Sequence, residues 1–112
     1  MFFPAITNAA FLLTSERCQL TFLDVSNPNT ASAFLQIFDS ASPSSITLGT
    51  TPPLFSIPIP KGASGTDVGQ KALTFARSVQ FLNGICVAAT TAPTGSSALG
   101  SAVGVNISTI TG

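Results

Sequence analysis

The sequence predicts an all-β domain, an antiparallel β-sandwich, jelly-roll-like, of about seven or eight short strands. Three observations lead there. Apolar residues recur mostly with a period of two, not 3.6. Clusters of Pro, Gly, Asn, Asp and Ser interrupt those runs at short spacing. No fixed-period repeat and no linker divides the 112 residues, so residues 1–112 read as one domain, large enough to bury a core without metal or disulfide staples.

In chain order, residues 1–13 come first. Phe2, Phe3, Ile6, Phe11, Leu12 and Leu13 are too apolar for a solvated tail but do not alternate cleanly. The segment is either a first strand or an N-terminal arm that docks on a neighbour. Cys18, Leu20 and Phe22 then alternate with Gln19 and Thr21, giving a strand with those three on one face. Ser26-Asn27-Pro28-Asn29 is a turn. In residues 31–39, Ala33, Leu35 and Ile37 point one way while Phe34, Gln36 and Phe38 point the other, so both faces carry apolar bulk. Two readings stand side by side: a central strand whose far side is covered by a loop or terminal arm, or one whose Phe34 and Phe38 face another chain.

A turn containing Pro43 leads to a short strand expected at residues 45–48, followed by a turn at 49–53. Phe55, Ile57 and Ile59 alternate with Ser56, Pro58 and Pro60. Proline cannot donate to a ladder, so this strand belongs on a sheet edge. After a loop at 61–69, residues 72–81 give the clearest alternation, with Leu73, Phe75, Val79 and Phe81 on one face. Arg77 falls on that same face. It is expected near an edge with its head in solvent, the alternative being a pair with Asp24, Asp39 or a neighbouring chain. Asn83-Gly84 reads as a two-residue hairpin turn. Ile85, Val87 and Ala89 form the next strand. A mobile Ala/Thr/Ser/Gly-rich loop is expected at 90–100, and Val103, Val105, Ile107 and Thr109 mark the last strand.

Charge is scarce. Only 7% of residues are charged, four basic against four acidic, where an ordinary soluble domain has about 25%. Polarity comes instead from 14 Ser, 14 Thr and 5 Asn. Zero net charge favours association, and we expect partner chains to cover much of the surface. Lys61, Lys71, Arg17 and Arg77 are scattered, which argues against nucleic acid as a partner. No run of about 18 apolar residues suggests a membrane-spanning helix. Met1-Phe2-Phe3-Pro4 lacks the positive start of a secretory signal, so synthesis in a cytoplasm is expected. Cys18 and Cys86 read as buried small hydrophobes rather than a disulfide.

Catalytic chemistry is poorly provided. Without His there is no common general base and no Ser-His-Asp or Cys-His arrangement. Glu16, Asp24, Asp39 and Asp67 show no local pairing of the kind glycoside hydrolysis needs. No zinc cluster, calcium loop or phosphate-cradling glycine motif is present, and Gly62, Gly65 and Gly69 lie in a polar loop. No enzyme activity and no cofactor is expected. The Trp and Tyr platforms typical of sugar-binding sandwiches are also missing.

One resemblance adds to this reading. Asn27-Pro28-Asn29 precedes Ala33-Phe34-Leu35-Gln36-Ile37-Phe38-Asp39. Thr47-Leu48-Gly49-Thr50-Thr51-Pro52 and Phe55-Ser56-Ile57-Pro58-Ile59-Pro60 follow, and Asn83-Gly84-Ile85-Cys86-Val87-Ala88-Ala89-Thr90-Thr91 comes before Thr94-Gly95-Ser96. Over residues 25–107 this pattern resembles small structural proteins of tailed bacteriophages, including those that decorate or cement capsids. The resemblance implies a virion protein made in the host cytoplasm, binding the major capsid protein and copies of itself, often as a symmetric oligomer. A tail, baseplate or fibre component is the alternative within that class, and a carbohydrate-binding module the alternative outside it. Phe2, Phe3, Phe34 and Phe38 are the expected protein-contact residues.

Overall fold

A computed structural model describes residues 1–62 and 68–111. Most of the expected loop at 61–69, with Gly65 and Asp67, lies outside the described residues. Eight strands are formed among those described: β1 (Phe2–Ile6), β2 (Phe11–Thr14), β3 (Cys18–Asn27), β4 (Ala33–Asp39), β5 (Phe55–Ile59), β6 (Gly69–Phe81), β7 (Ile85–Thr90) and β8 (Val103–Thr111). They make two four-stranded sheets, β1-β8-β3-β6 and β2-β7-β4-β5, and every pairing is antiparallel. The expected all-β antiparallel sandwich is therefore the fold.

Four of the pairings nest: β1 with β8, β2 with β7, β3 with β6, and β4 with β5. The chain is thus one long hairpin with its tip between β4 and β5, rolled so that alternate rungs fall in opposite sheets. Only β4 and β5 follow each other within a sheet. The inner faces meet in one apolar core. Ile6, Leu20, Leu23, Val25, Val105, Ile107 and Phe81 from the first sheet pack on Leu13, Leu35, Ile37, Ile57, Ile59, Ile85 and Val87 from the second. Each such side chain taken fully out of water contributes about 1.5–3 kcal/mol.

The N-terminal segment docks on its own chain, and does so twice. β1 is an edge of the first sheet and β2 an edge of the second. Phe3 and Phe11 meet edge-to-face across that side, ring centres 5.8 Å apart. The Pro-containing β5 is an edge strand, as its sequence requires, and β6 is the edge of the other sheet. Leu73, Phe75, Val79 and Phe81 pack on the core, and Arg77 is exposed on that edge.

Three expectations are corrected. Leu20 pairs with Thr109 and Val79, but Phe22 pairs with Ser108 and Thr74. Thr21 is thus an extra residue against β8, while four residues of β6, Phe75 to Ser78, have no pairing partner in β3. A bulge of this kind resets side-chain phase: Leu23 and Val25 take the inward positions, and Phe22 turns outward, half-buried. Secondly, Asn83-Gly84 makes no hairpin. It carries the chain from β6 in one sheet to β7 in the other, held by the Asp39 carboxylate, which accepts the Leu82 and Asn83 N–H groups at 3.1 and 2.9 Å. Thirdly, residues 45–48 are not a strand. Pro43–Ser45 form one 3-10 turn, and Ile46 and Leu48 pack over the outer face of the second sheet.

Candidate contact surface

The expected contact residues part company in the structure. Phe38 is 3% exposed. With Cys86 and Ala88 it forms a second, smaller apolar cluster on the outer face of the β2-β7-β4-β5 sheet, covered by Leu12, Ile46 and Leu48. The covering-loop reading is right for Phe38, and its assignment as a contact with another chain is corrected: its own chain occupies that face. Phe34, further along the same outer face, is half-buried between its strand partners Pro58 and Thr90. Phe3 is half-buried against Phe11. Phe2 stays 62% exposed, its ring lying across Gly104 on the outer face of the first sheet. A Cβ at Gly104 would stand 3.2 Å from the Phe2 ring, so the glycine makes room for the aromatic.

The rest of the second sheet's outer face is covered by the segment after β7. Gln36 and Thr90 are fully buried. The Gln36 Nε2 donates to Thr90 Oγ1 at 2.8 Å and to the Gly95 carbonyl at 2.9 Å. Thr90 Oγ1 donates to the Ala92 carbonyl at 2.7 Å, and Ser56 Oγ donates to the Pro93 carbonyl. The loop expected to be mobile is fastened here by a buried amide. Gln36 Oε1 is the one buried side-chain polar atom left without a partner among the described residues.

Among the described residues, no second apolar cluster forms on the outer face of the β1-β8-β3-β6 sheet. Opposite the buried Leu20, Leu23, Val25, Val105 and Ile107, that face presents Gln19, Phe22, Asp24, Asn106 and Ser108, with Phe2 on β1 and the exposed Ile110 on β8. Among these side chains only Asp24 is charged, and the rest are amides, hydroxyls and isolated apolar groups.

The ionisable groups are dispersed. Both Asp39 oxygens are taken by main-chain N–H groups, so the carboxylate works as a turn cap. Glu16 lies exposed in the β2–β3 turn, and Asp24 is half-buried between its pairing partners Ala72 and Asn106. Among the described residues no three of His, Cys, Asp and Glu gather in a way that could hold a metal ion. Cys18 and Cys86 are both free and buried, in the inner and the outer cluster respectively, so they do not face one another. Burial raises the Cys18 thiol pKa, and the negative charges of Asp39 and Glu16 add to the effect. Burial likewise raises that of Cys86, opposed by its hydrogen bond to Ser40. A depression of about 210 Å³ between the Thr7-Asn8 turn and residues 98–102 contains no ionisable side chain in its lining.

Two roles had no clear sequence signal. Ile46 and Leu48 sit in a stretch too short to show a period, and Asp39 is recognisable as a cap only once β4 and the β6–β7 turn are adjacent. Among known protein families, curated proteins and solved structures, none matches this chain.

Proposed function

We propose that the protein is a virion structural component, a decoration or cement protein that binds the outer capsid surface and bridges major capsid subunits. The observation that carries this reading is the nested pairing of β1:β8, β2:β7, β3:β6 and β4:β5. We read it as a jelly roll, the double-sheet architecture found in viral capsid and lectin domains. The phage-like pattern over residues 25–107 supports the same reading. So does a surface of hydroxyls and amides with zero formal net charge, which keeps like copies from repelling one another at high local density. Such a protein acts by adding interface area between neighbours, and neither a nucleophile nor a cofactor is required.

Binding is tested by mixing the purified protein with capsids of its own particle assembled without it. Saturable, stoichiometric binding and a higher temperature of capsid disruption are expected; absence of binding defeats the head assignment. Phe2→Ala sharpens the test. Phe2 is exposed, so its removal should leave the fold intact, while binding weakens if its ring enters the interface. Within the same structural class, a tail or baseplate position would be recognised by locating the protein in an image of the particle.

A further inference from the structure

We propose that Asn83 is a site of spontaneous deamidation, the β6–β7 turn converting with time into its aspartyl and isoaspartyl forms. In this reaction the main-chain nitrogen of the following residue attacks the asparagine Cγ. A C–N bond forms, the Cγ–Nδ2 bond breaks, and ammonia leaves with the proton of the attacking nitrogen. Water then opens the cyclic imide at one carbonyl or the other, giving Asp or its main-chain-lengthened isomer. The chemistry needs an asparagine outside a regular ladder, a side chain not already held, and a successor with an N–H and no obstructing side chain.

The chain has five asparagines, and four fail a requirement visible in the fold. Asn27 precedes Pro28, which has no N–H to attack with. Asn29 is clamped: its Nδ2 donates to Asn27 Oδ1 and the Ser101 carbonyl, and its Oδ1 accepts the Ser101 N–H at 2.7 Å. Asn8 Nδ2 donates to the Ser96 carbonyl at 3.1 Å. Asn106 sits inside β8 before the β-branched Ile107, whose N–H is committed to the Met1 carbonyl at 2.8 Å. Asn83 alone lies exposed between strands and precedes a glycine.

That glycine is fixed by packing. Gly84 has φ +149°, and a Cβ there would stand 2.4 Å from the Thr14 carbonyl oxygen and 3.1 Å from that of Ser40. No larger residue fits the crossing between sheets, so the susceptible pair follows from the fold itself. Conversion places a carboxylate beside Asp39, which already receives the Asn83 N–H. It also takes the formal charge from four against four to four against five, a net of −1.

The test is to hold the native protein at mildly alkaline pH and body temperature, with a urea-unfolded sample alongside, and to follow both by isoelectric focusing and peptide mass mapping. A growing acidic band is expected, its mass change confined to the peptide with Asn83, at a rate about tenfold or more above that of any other asparagine. Asn83→Gln, exposed and unable to form the five-membered ring, should fold and lack the band, and Asn83→Asp should co-migrate with it. If Asn83 keeps its amide in the native chain while the unfolded chain converts, or if another asparagine converts first, the proposal is wrong.

Discussion

On the outer face of the β2-β7-β4-β5 sheet, Phe38 is sealed under Ile46 and Leu48, and Gln36 is bolted to the segment after β7. On the outer face of the other sheet, Phe2 is 62% exposed and the other outward positions are mostly Asn, Ser, Gln and Asp, with Phe22 and Ile110 the isolated apolar ones. Both sheets contribute equally to the shared core, so the contrast arises from their outward residues. β4 and β7 carry apolar groups on both faces, and all six residues of β7 are buried. A strand of that kind needs a second layer, and loops 43–48 and 91–97 supply it. β8 and β3 carry mostly polar groups outward, Phe22 and Ile110 being isolated apolar exceptions, and so demand no second layer. Loop residues that look like filler in the sequence are therefore part of the packing on one side, whereas no comparable cluster forms on the other side among the described residues.

The largest expected effect comes from breaking the covered side. Phe38→Ala should lower unfolding free energy by about 3–5 kcal/mol, as for other buried aromatic truncations, read from the shift in urea midpoint. Phe2→Ala, on the bare side, should stay within about 0.5 kcal/mol of the parent. Equal losses at the two positions would erase the contrast. Gly84→Ala should cost roughly 1–3 kcal/mol from backbone strain, with the clash against Thr14 added, and is checked by the same titration.

A smaller effect is expected at Gln36. Replacing it by Ala strips the Gly95 carbonyl and Thr90 Oγ1 of a buried donor, a loss of about 1–3 kcal/mol. It should also expose residues 91–97 to limited proteolysis, seen as new cleavage there. Phe34→Ala, half-buried on the same face, should leave those peptide bonds resistant.

The thiols give the mildest and most specific signal. Both have pKa values raised above their ordinary 9.0 in the folded chain. On alkaline titration the unfolded chain gives up its thiol protons first, so it binds fewer protons than the native chain through that interval. Stability contributed by the neutral thiols is thus intact below about pH 9 and declines above it. Native protein should react sluggishly with a thiol reagent near neutrality and quickly once unfolded. Replacing both cysteines by Ala should flatten the alkaline part of the stability curve.

Much of the fold was legible because alternation is a local property. β5, β6 and β8 announce themselves by period, and Pro58 within β5, with Pro60 just after it, places that strand on an edge before any partner is known. The outward turn of Phe22 was not legible. Leu20-Thr21-Phe22-Leu23 has apolar residues in both phases, and only the pairing with β8 and β6 shows that Thr21 is the extra one. Asn83-Gly84 misled for a related reason: its turn chemistry is genuine, but which sheet each flanking strand joins is a long-range matter. The contact surface is the least legible part of the molecule. Phe2 and Phe38 look alike in sequence, and the difference between them rests on a loop several residues beyond β4 that folds back across it.

Hydroxyl-radical footprinting of the native protein, resolved residue by residue, tests the central contrast most directly. Rapid oxidation of the Phe2 ring and near-complete protection of Phe38 until the chain is unfolded are expected. Oxidation of Phe38 in the native protein at the rate of Phe2 would contradict that contrast.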